Sequence, residues 1–213
     1  MFIRDVMTTN VVTIPSTTSL ADARRIMDAH HIRRLPVVDK GKVLGVVSRD
    51  ALDKAGPSKL TTFSIHEVTY LLGKITVREI MSKNLVSVSP DATVEEAVAM
   101  AQSKKVGMLI VIEDGRLVGI ATTNDFFYKI ANPILGIDKP GTRFSVHNWR
   151  SIADLQKILG IIDRFQSQIV TMYTMTHPES GQNDFVAHLT TSNPDGLMEE
   201  LRKNGYEVHE RAR

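Results

Sequence analysis

The sequence predicts an α/β (α+β) chain, with two similar small lobes followed by a βαββαβ domain. Three observations predict it. Residues 3–52 and 77–126 align without a gap at a constant offset of 74, and both copies read strand, helix, strand, hairpin, strand, helix. Identities recur at that offset: Arg4 and Arg78, Met7 and Met81, Asn10 and Asn84, Ala23 and Ala97, Val37 and Val111, Gly41 and Gly115, Gly45 and Gly119. Beyond Thr142 the pattern changes and no longer repeats. A spacing this long exceeds solenoid periods of about 20–50 residues. It describes two lobes that can pack about a pseudo-twofold axis with equivalent clefts between them, which is the layout of a binding module.

Each element follows from local pattern. In the second copy, Leu85–Val88 is a short strand and Thr93, with Glu96 three residues on, marks a helix start. The helix Val94–Ser103 carries Val94, Ala97, Val98 and Ala101 at helical spacing. The first copy places Ser19 and Asp22 at the matching positions, with Leu20, Ala23, Ile26 and Met27 as the apolar face. Apolar strands follow at Leu35–Val38 and Met108–Ile112, then tight turns at Lys40-Gly41 and Asp114-Gly115, then Val43–Val47 and Leu117–Ala121. Between the copies, Ala55-Gly56-Pro57-Ser58 breaks structure, and Ser64-Ile65-His66-Glu67 opens a short apolar helix reaching Leu72. Asn132-Pro133 reads as a helix stop and Lys139-Pro140-Gly141-Thr142 as a boundary.

In the tail, Thr142–Asn148, Ser167–Met175, Asp184–Thr190 and Tyr206–Arg211 read as strands. Ile152–Phe165 is a helix with Leu155, Ile158, Leu159 and Ile162 on one face, and Pro194–Asn204 is a helix ended by Gly205. The order gives a four-stranded antiparallel sheet with two helices on one face. The expected divisions are 1–58 and 75–132 for the repeats, a helical linker at 59–74, a second linker at 133–141, and the final domain at 142–213.

Composition narrows the function. The formal net charge is +2 and no basic block occurs, which argues against nucleic-acid binding. The absence of cysteine excludes disulfides, thiol catalysis and Cys-ligated zinc. No signal-like segment and no apolar run of about 18 residues is present, so a cytoplasmic protein without a membrane span is expected. His30 and His31 are adjacent and diverge on a helix, and the other histidines lack metal spacing. Glu95-Glu96 and Glu199-Glu200 read as exposed helix faces. No metal or catalytic residue is expected.

Thr122-x-x-Asp125 lies where the third strand meets a helix. A hydroxyl beside free backbone N–H groups suits phosphate, and a carboxylate one turn on can accept from ribose hydroxyls. The same pair also reads as a plain helix cap, with Asp125 favouring the dipole. In the first copy Ser48 aligns with Thr122, but Ala51 aligns with Asp125 and Asp50 with Asn124. Neighbouring helix positions differ by about 100°, so Asp50 does not replace the missing carboxylate. Arg33, Arg34 and Arg49 keep that site basic.

The doubled unit, with Gly45-Val46-Val47-Ser48 and Gly119-Ile120-Ala121-Thr122-Thr123-Asn124-Asp125, resembles the CBS domain as a tandem pair (a Bateman module) over roughly residues 1–132. The tail resembles an ACT-like, ferredoxin-like domain. Together with Ser64–Lys74 and Gly136–Arg143, the layout resembles the AcuB-type acetoin-utilisation family. The resemblance implies a non-catalytic regulator that senses an adenine nucleotide of the AMP, ADP or ATP class as its ligand and needs no cofactor. It implies Thr122 for phosphate, Asp125 for ribose, and adenine on apolar walls near the first strand. The dominant second site is then Val86, Ser87, Val88, Pro90, Met108, Leu109, Ile110, Thr122, Asn124 and Asp125. A weaker first site is Thr13, Ile14, Pro15, Arg33, Arg34, Ser48, Arg49 and Asp50. The tail lacks the glycine that ACT domains carry at the entry to the first helix, Trp149–Leu155 here, so the usual amino-acid binding is not expected of it. A homodimer through the apolar helices and an unidentified client protein complete the expectation, with the signal leaving across Gly136–Thr142. The alternative is a nucleotide-acting enzyme using the cleft between repeats.

Overall fold

The computed structural model describes residues 1–55, 74–176 and 181–211. The helix expected over 64–72 and most of the 177–182 loop lie outside the described residues. The chain divides into two compact units, Met1–Phe126 and Phe127–Arg213, so the second begins ahead of the expected 133–141 linker. No helix among the described residues is long and apolar enough to cross a membrane.

The first unit holds both repeats. Its elements are α1 (Ile3–Val6), α2 (Leu20–Ala29), β1 (Arg34–Asp39), β2 (Lys42–Ser48), α3 (Arg49–Ala55), α4 (Val77–Ile80), β3 (Ser87–Val88), α5 (Val94–Ser103), β4 (Met108–Glu113), β5 (Arg116–Thr122) and α6 (Thr123–Phe126). Strand β1 pairs antiparallel with β2, and β4 with β5. Strand β3 adds in parallel to β4, and in the first repeat the single bridge Ile14–Val37 stands at the matching place. The hairpin turns at Lys40-Gly41 (φ 48° and 77°) and Asp114-Gly115 (φ 50° and 75°) are left-handed at both central residues, which suits the strand twist. Ser19 and Thr93 accept the Asp22 and Glu96 N–H groups, as the cap signals require.

The repeats exchange their first residues. Backbone bridges join Phe2 to Thr93 and Thr8 to Ile120, and the counterparts join Thr76 to Ser19 and Ser82 to Val46. The Ile3 N–H donates to the Ala92 carbonyl at 2.9 Å, and the Val77 N–H to that of Thr18 at 2.8 Å. Each arm therefore completes the other lobe, and Val77 is buried among Leu20, Leu35 and Val37 of the first repeat. This explains two pairs of identities. A Cβ on Gly45 would lie 2.8 Å from Met81 Sδ and from the Ser82 carbonyl, and one on Gly119 would lie 2.7 Å from Met7 Sδ. Glycine on one lobe makes the seat for methionine of the other.

The lobes differ at Ser16 and Asp39, whose counterparts are Pro90 and Glu113. Ser16 is buried, and its hydroxyl and N–H donate to the Asp39 carboxylate at 2.7 and 2.9 Å. The Ser16 hydroxyl first, then its N–H, hold Asp39 below the ordinary aspartate value of 3.8. A carboxylate depressed by folding stabilises the fold above its unfolded value and loses that contribution as pH falls through the folded one. Urea unfolding followed by circular dichroism down a pH series is expected to show Asp39→Asn losing less stability on acidification than the parent chain. Parallel curves would refute this.

The second unit comprises a π turn (Phe127–Ala131), α7 (Asn132–Leu135), β6 (Thr142–His147), α8 (Ile152–Arg164), β7 (Gln168–Thr176), β8 (Asn183–Thr190), α9 (Pro194–Lys203) and β9 (Glu207–Glu210). The sheet order is β7-β8-β6-β9, antiparallel throughout, which is the order a βαββαβ chain makes when its halves interleave. Phe144, Val146, Phe185, Ala187, Leu189 and Val208 pack against Ile158, Ile161, Ile162, Leu197 and Leu201 of α8 and α9. Leu159, expected on the buried face of α8, is 39 % exposed, and Ile161 is buried in its place. Asn132-Pro133 does not stop a helix. Pro133 is the second residue of α7, which follows directly on the π turn, and Gly136 at φ 63° ends it.

Candidate functional site

Two clefts lie between the repeats, at positions equivalent under the 74-residue offset. One, of about 290 Å³, is lined by Ser48, Asp50 and Ala51 of the first repeat and by Val86, Lys105, Gly107, Met108 and Ile110 of the second. The other, of about 250 Å³, is lined by Thr122, Thr123 and Asn124 of the second repeat and by Val12, His31 and Arg33 of the first. Arg34 and Met108, themselves counterparts, line both.

This regroups the residues expected from sequence. Val86 and Ile110 face Ser48 and Asp50, not Thr122, while Met108 lines both clefts as expected for Thr122, and Arg33 faces Thr122 and Asn124, not Ser48. The reason lies in the exchanged arms. Bridges Thr8–Ile120 and Ser82–Val46 draw the segment after each arm against the other lobe's third strand. Asn10 and Val12 thereby reach the Thr122 cleft, and Asn84 and Val86 the Ser48 cleft.

Several expected residues line neither cleft. Leu109 is 0 % exposed because side chains alternate along β4, so it points opposite to Met108 and Ile110. Ile14 and Val88 are buried, bridged to Val37 and Val111, and the buried Pro90 accepts the Arg4 N–H through its carbonyl. Thr13, Pro15 and Ser87 are exposed, with Thr13 and Ser87 beside the hairpin turns. Arg49 turns away to Asp28 and Asp53 on the helices, and the hydrogen bond it donates to the Asp28 carboxylate is the main reason its pKa is raised.

The hydroxyls are already engaged. Thr122 donates its O–H to Asp125 Oδ2 at 2.6 Å and its N–H to the same oxygen at 2.9 Å. Thr8 of the other arm donates to Asp125 Oδ1 at 3.0 Å. Asp125 is 8 % exposed and bonded to the Thr122 hydroxyl and N–H, so the cap reading describes the geometry of this pair. In the Ser48 cleft the hydroxyl accepts the Ala51 N–H at 3.2 Å, and the missing carboxylate leaves Ala51 on the cleft wall. Arg33 and Asp50 form an ion pair of 3.1 Å, both well exposed, with Arg33 on one cleft and Asp50 on the other. Apolar walls, hydroxyls and cations together suit a flat ring carrying an anionic group.

Sequence reasoning missed Thr8, Asn10, Asn84, Lys105 and Gly107 on the cleft walls. The identity of Asn10 with Asn84 was the available signal. It also missed a cluster in the second unit. His147 Nδ1 lies 2.7 Å from Asp184 Oδ1, its Nε2 lies 3.0 Å from Ser145 Oγ, and its ring meets that of His209 edge-on at 5.2 Å. The order Ser–His–Asp matches a catalytic relay, but Ser145 is only 2 % exposed, so the hydroxyl is not presented to a substrate.

Comparison with known proteins identifies the repeats. The family model described as the CBS domain matches residues 3–57 and 77–132. The chain is 32 % identical over 133 residues to inosine-5'-monophosphate dehydrogenase of Korarchaeum cryptofilum, covering 62 % of this chain and 25 % of that enzyme. It is 28 % identical over 124 residues to CBS domain-containing protein YhcV of Bacillus subtilis, covering 58 % of this chain and 81 % of that protein. The chain therefore spans a quarter of the dehydrogenase and most of YhcV. Among solved structures, a Vibrio cholerae protein assigned to acetoin utilization (AcuB) superposes with TM-score 0.53 at 31 % identity, covering 66 % of this chain and 98 % of that one. The CBS domain pair of protein MJ0100, in complex with 5-methylthioadenosine and S-adenosyl-L-methionine, superposes with TM-score 0.51 at 25 % identity, covering 62 % of this chain and 97 % of that one.

Proposed function

Because the chain belongs to the CBS-domain family, we propose that its paired clefts bind an adenine nucleotide and that the protein is a non-catalytic regulator. The observation that carries this is the pair of equivalent clefts, each combining an apolar wall with a hydroxyl and cations. The MJ0100 pair, of similar fold, is in complex with two adenosine compounds. Cavities of about 290 and 250 Å³ fall just below the range of ligand pockets, about 300–1,000 Å³, which favours a mononucleotide over a dinucleotide. The Thr122 cleft is the tighter site in this reading, because Asp125 holds Thr122 and Thr8 in place from below. Likeness to the Vibrio cholerae protein supports a role in acetoin-linked metabolism. The reading includes a homodimer and a client protein met through the βαββαβ unit, whose sheet leaves β7 and β9 as edges.

Calorimetry with AMP tests it. Binding without turnover is expected, and Asp125→Ala is expected to weaken the tighter site by about 1–3 kcal/mol through lost hydrogen bonding. Asp50→Ala, whose carboxylate is exposed and paired only with Arg33, is expected to do much less. Equal losses from both changes would remove the asymmetry. Hydrolysis or transfer of the nucleotide would establish the enzyme reading instead.

A further inference from the structure

We infer that Arg34 is one cation shared by two clefts, so that an anionic ligand in either cleft weakens anion binding in the other. This rests on the nucleotide-binding reading and adds a coupling to it. Arg34 lines both clefts. Its counterpart is Met108, so the pseudo-twofold arrangement holds one guanidinium where a symmetric pair would hold two. Among the described residues the Arg34 side chain has no hydrogen-bond or ion-pair partner, whereas that of Arg33 is held by Asp50 and that of Arg49 by Asp28. Space for it comes from Gly107, the counterpart of Arg33: a Cβ there would lie 2.5 Å from an Arg34 Nη atom. At rest the guanidinium therefore lies against the wall of the Ser48 cleft, with the Thr122 cleft on its other side.

A guanidinium engages a phosphate through a planar fork. One fork directed to one phosphate is lost to a second, and by linkage each ligand then lowers the other's affinity by the same factor. Lys105 serves only the Ser48 cleft and His31 only the Thr122 cleft, so neither replaces the shared group.

The test isolates each cleft. Asn84→Trp fills the Ser48 cleft and Asn10→Trp the Thr122 cleft, both from exposed positions on the walls. Calorimetry with AMP on each variant gives the two isolated association constants. Their product is expected to exceed the overall two-AMP constant of the parent chain by about fivefold or more, the range of typical site coupling. In Arg34→Met the two are expected to agree, and with adenosine, which lacks the phosphate, they are expected to agree in every background. Agreement for AMP in the parent chain overturns the shared cation while leaving nucleotide binding intact. Absence of any AMP binding overturns the underlying reading instead. Gly107→Ala supplies a measurement independent of the tryptophan variants. By displacing the guanidinium it is expected to change the stepwise AMP constants and not those for adenosine, and unchanged AMP constants count against the proposal.

Discussion

Replacing Ile3 by alanine is expected to loosen the second repeat, not the first in which it is written. Ile3 is 0 % exposed and its N–H reaches the Ala92 carbonyl. Arg4 donates to Pro90 and Met1 accepts from Val94, so the whole arm is fastened to the start of α5. Removing three carbons from a packed site of this kind costs about 2–5 kcal/mol. Native-state hydrogen exchange is expected to quicken in Val94–Ser103 and Met108–Thr122, while Leu20–Ala29 and Arg34–Ser48 keep their protection. Val77→Ala is expected to do the reverse, since Val77 sits in the first repeat's core. Loss of protection within each mutated repeat itself would disprove the exchange.

That exchange marks the limit of what the sequence reveals. Elements written in local pattern were legible: α2 and α5 from their caps and apolar faces, and the hairpins from Lys40-Gly41 and Asp114-Gly115. Met7, Met81, Gly45 and Gly119 were visible as identities, but identity at a fixed offset does not say which copy meets which. The candidate site inherits the same limit. Ser48, Val86, Met108, Arg34 and Thr122 were visible as cleft chemistry, yet only the crossed bridges at Thr8 and Ser82 decide which of them share a cleft. Leu109 could have been excluded from alternation alone. Ser145 and His147 share a strand face two residues apart, but Asp184 joins them only through the pairing of β6 with β8.

His147→Ala is expected to destabilise the βαββαβ unit by about 1–3 kcal/mol, the cost of leaving a buried hydrogen-bonding group without its partner. Asp184 is 2 % exposed and would lose its imidazole partner, and Ser145, equally buried, would lose its own. His209 does not take over, since its Nε2 is bonded to Glu207 at 2.7 Å. Trp149 packs against the core of this unit and is the only tryptophan of the chain, so its fluorescence during urea unfolding reports this unit directly. A midpoint unchanged by His147→Ala would show that Asp184 is satisfied without it.

The crossed arms carry a consequence for any fragment. A lone repeat, such as residues 75–132, owns both a protruding arm and an empty socket, and the two cannot meet within one molecule. Two copies can satisfy each other by reciprocal domain swapping, closing a twofold dimer whose contacts are those the intact chain makes internally. In that sense the first unit is a homodimer tied into one polypeptide. The tie removes the concentration dependence of assembly, and it frees each half to diverge, as Arg34 and Met108 have done on either side of the same axis.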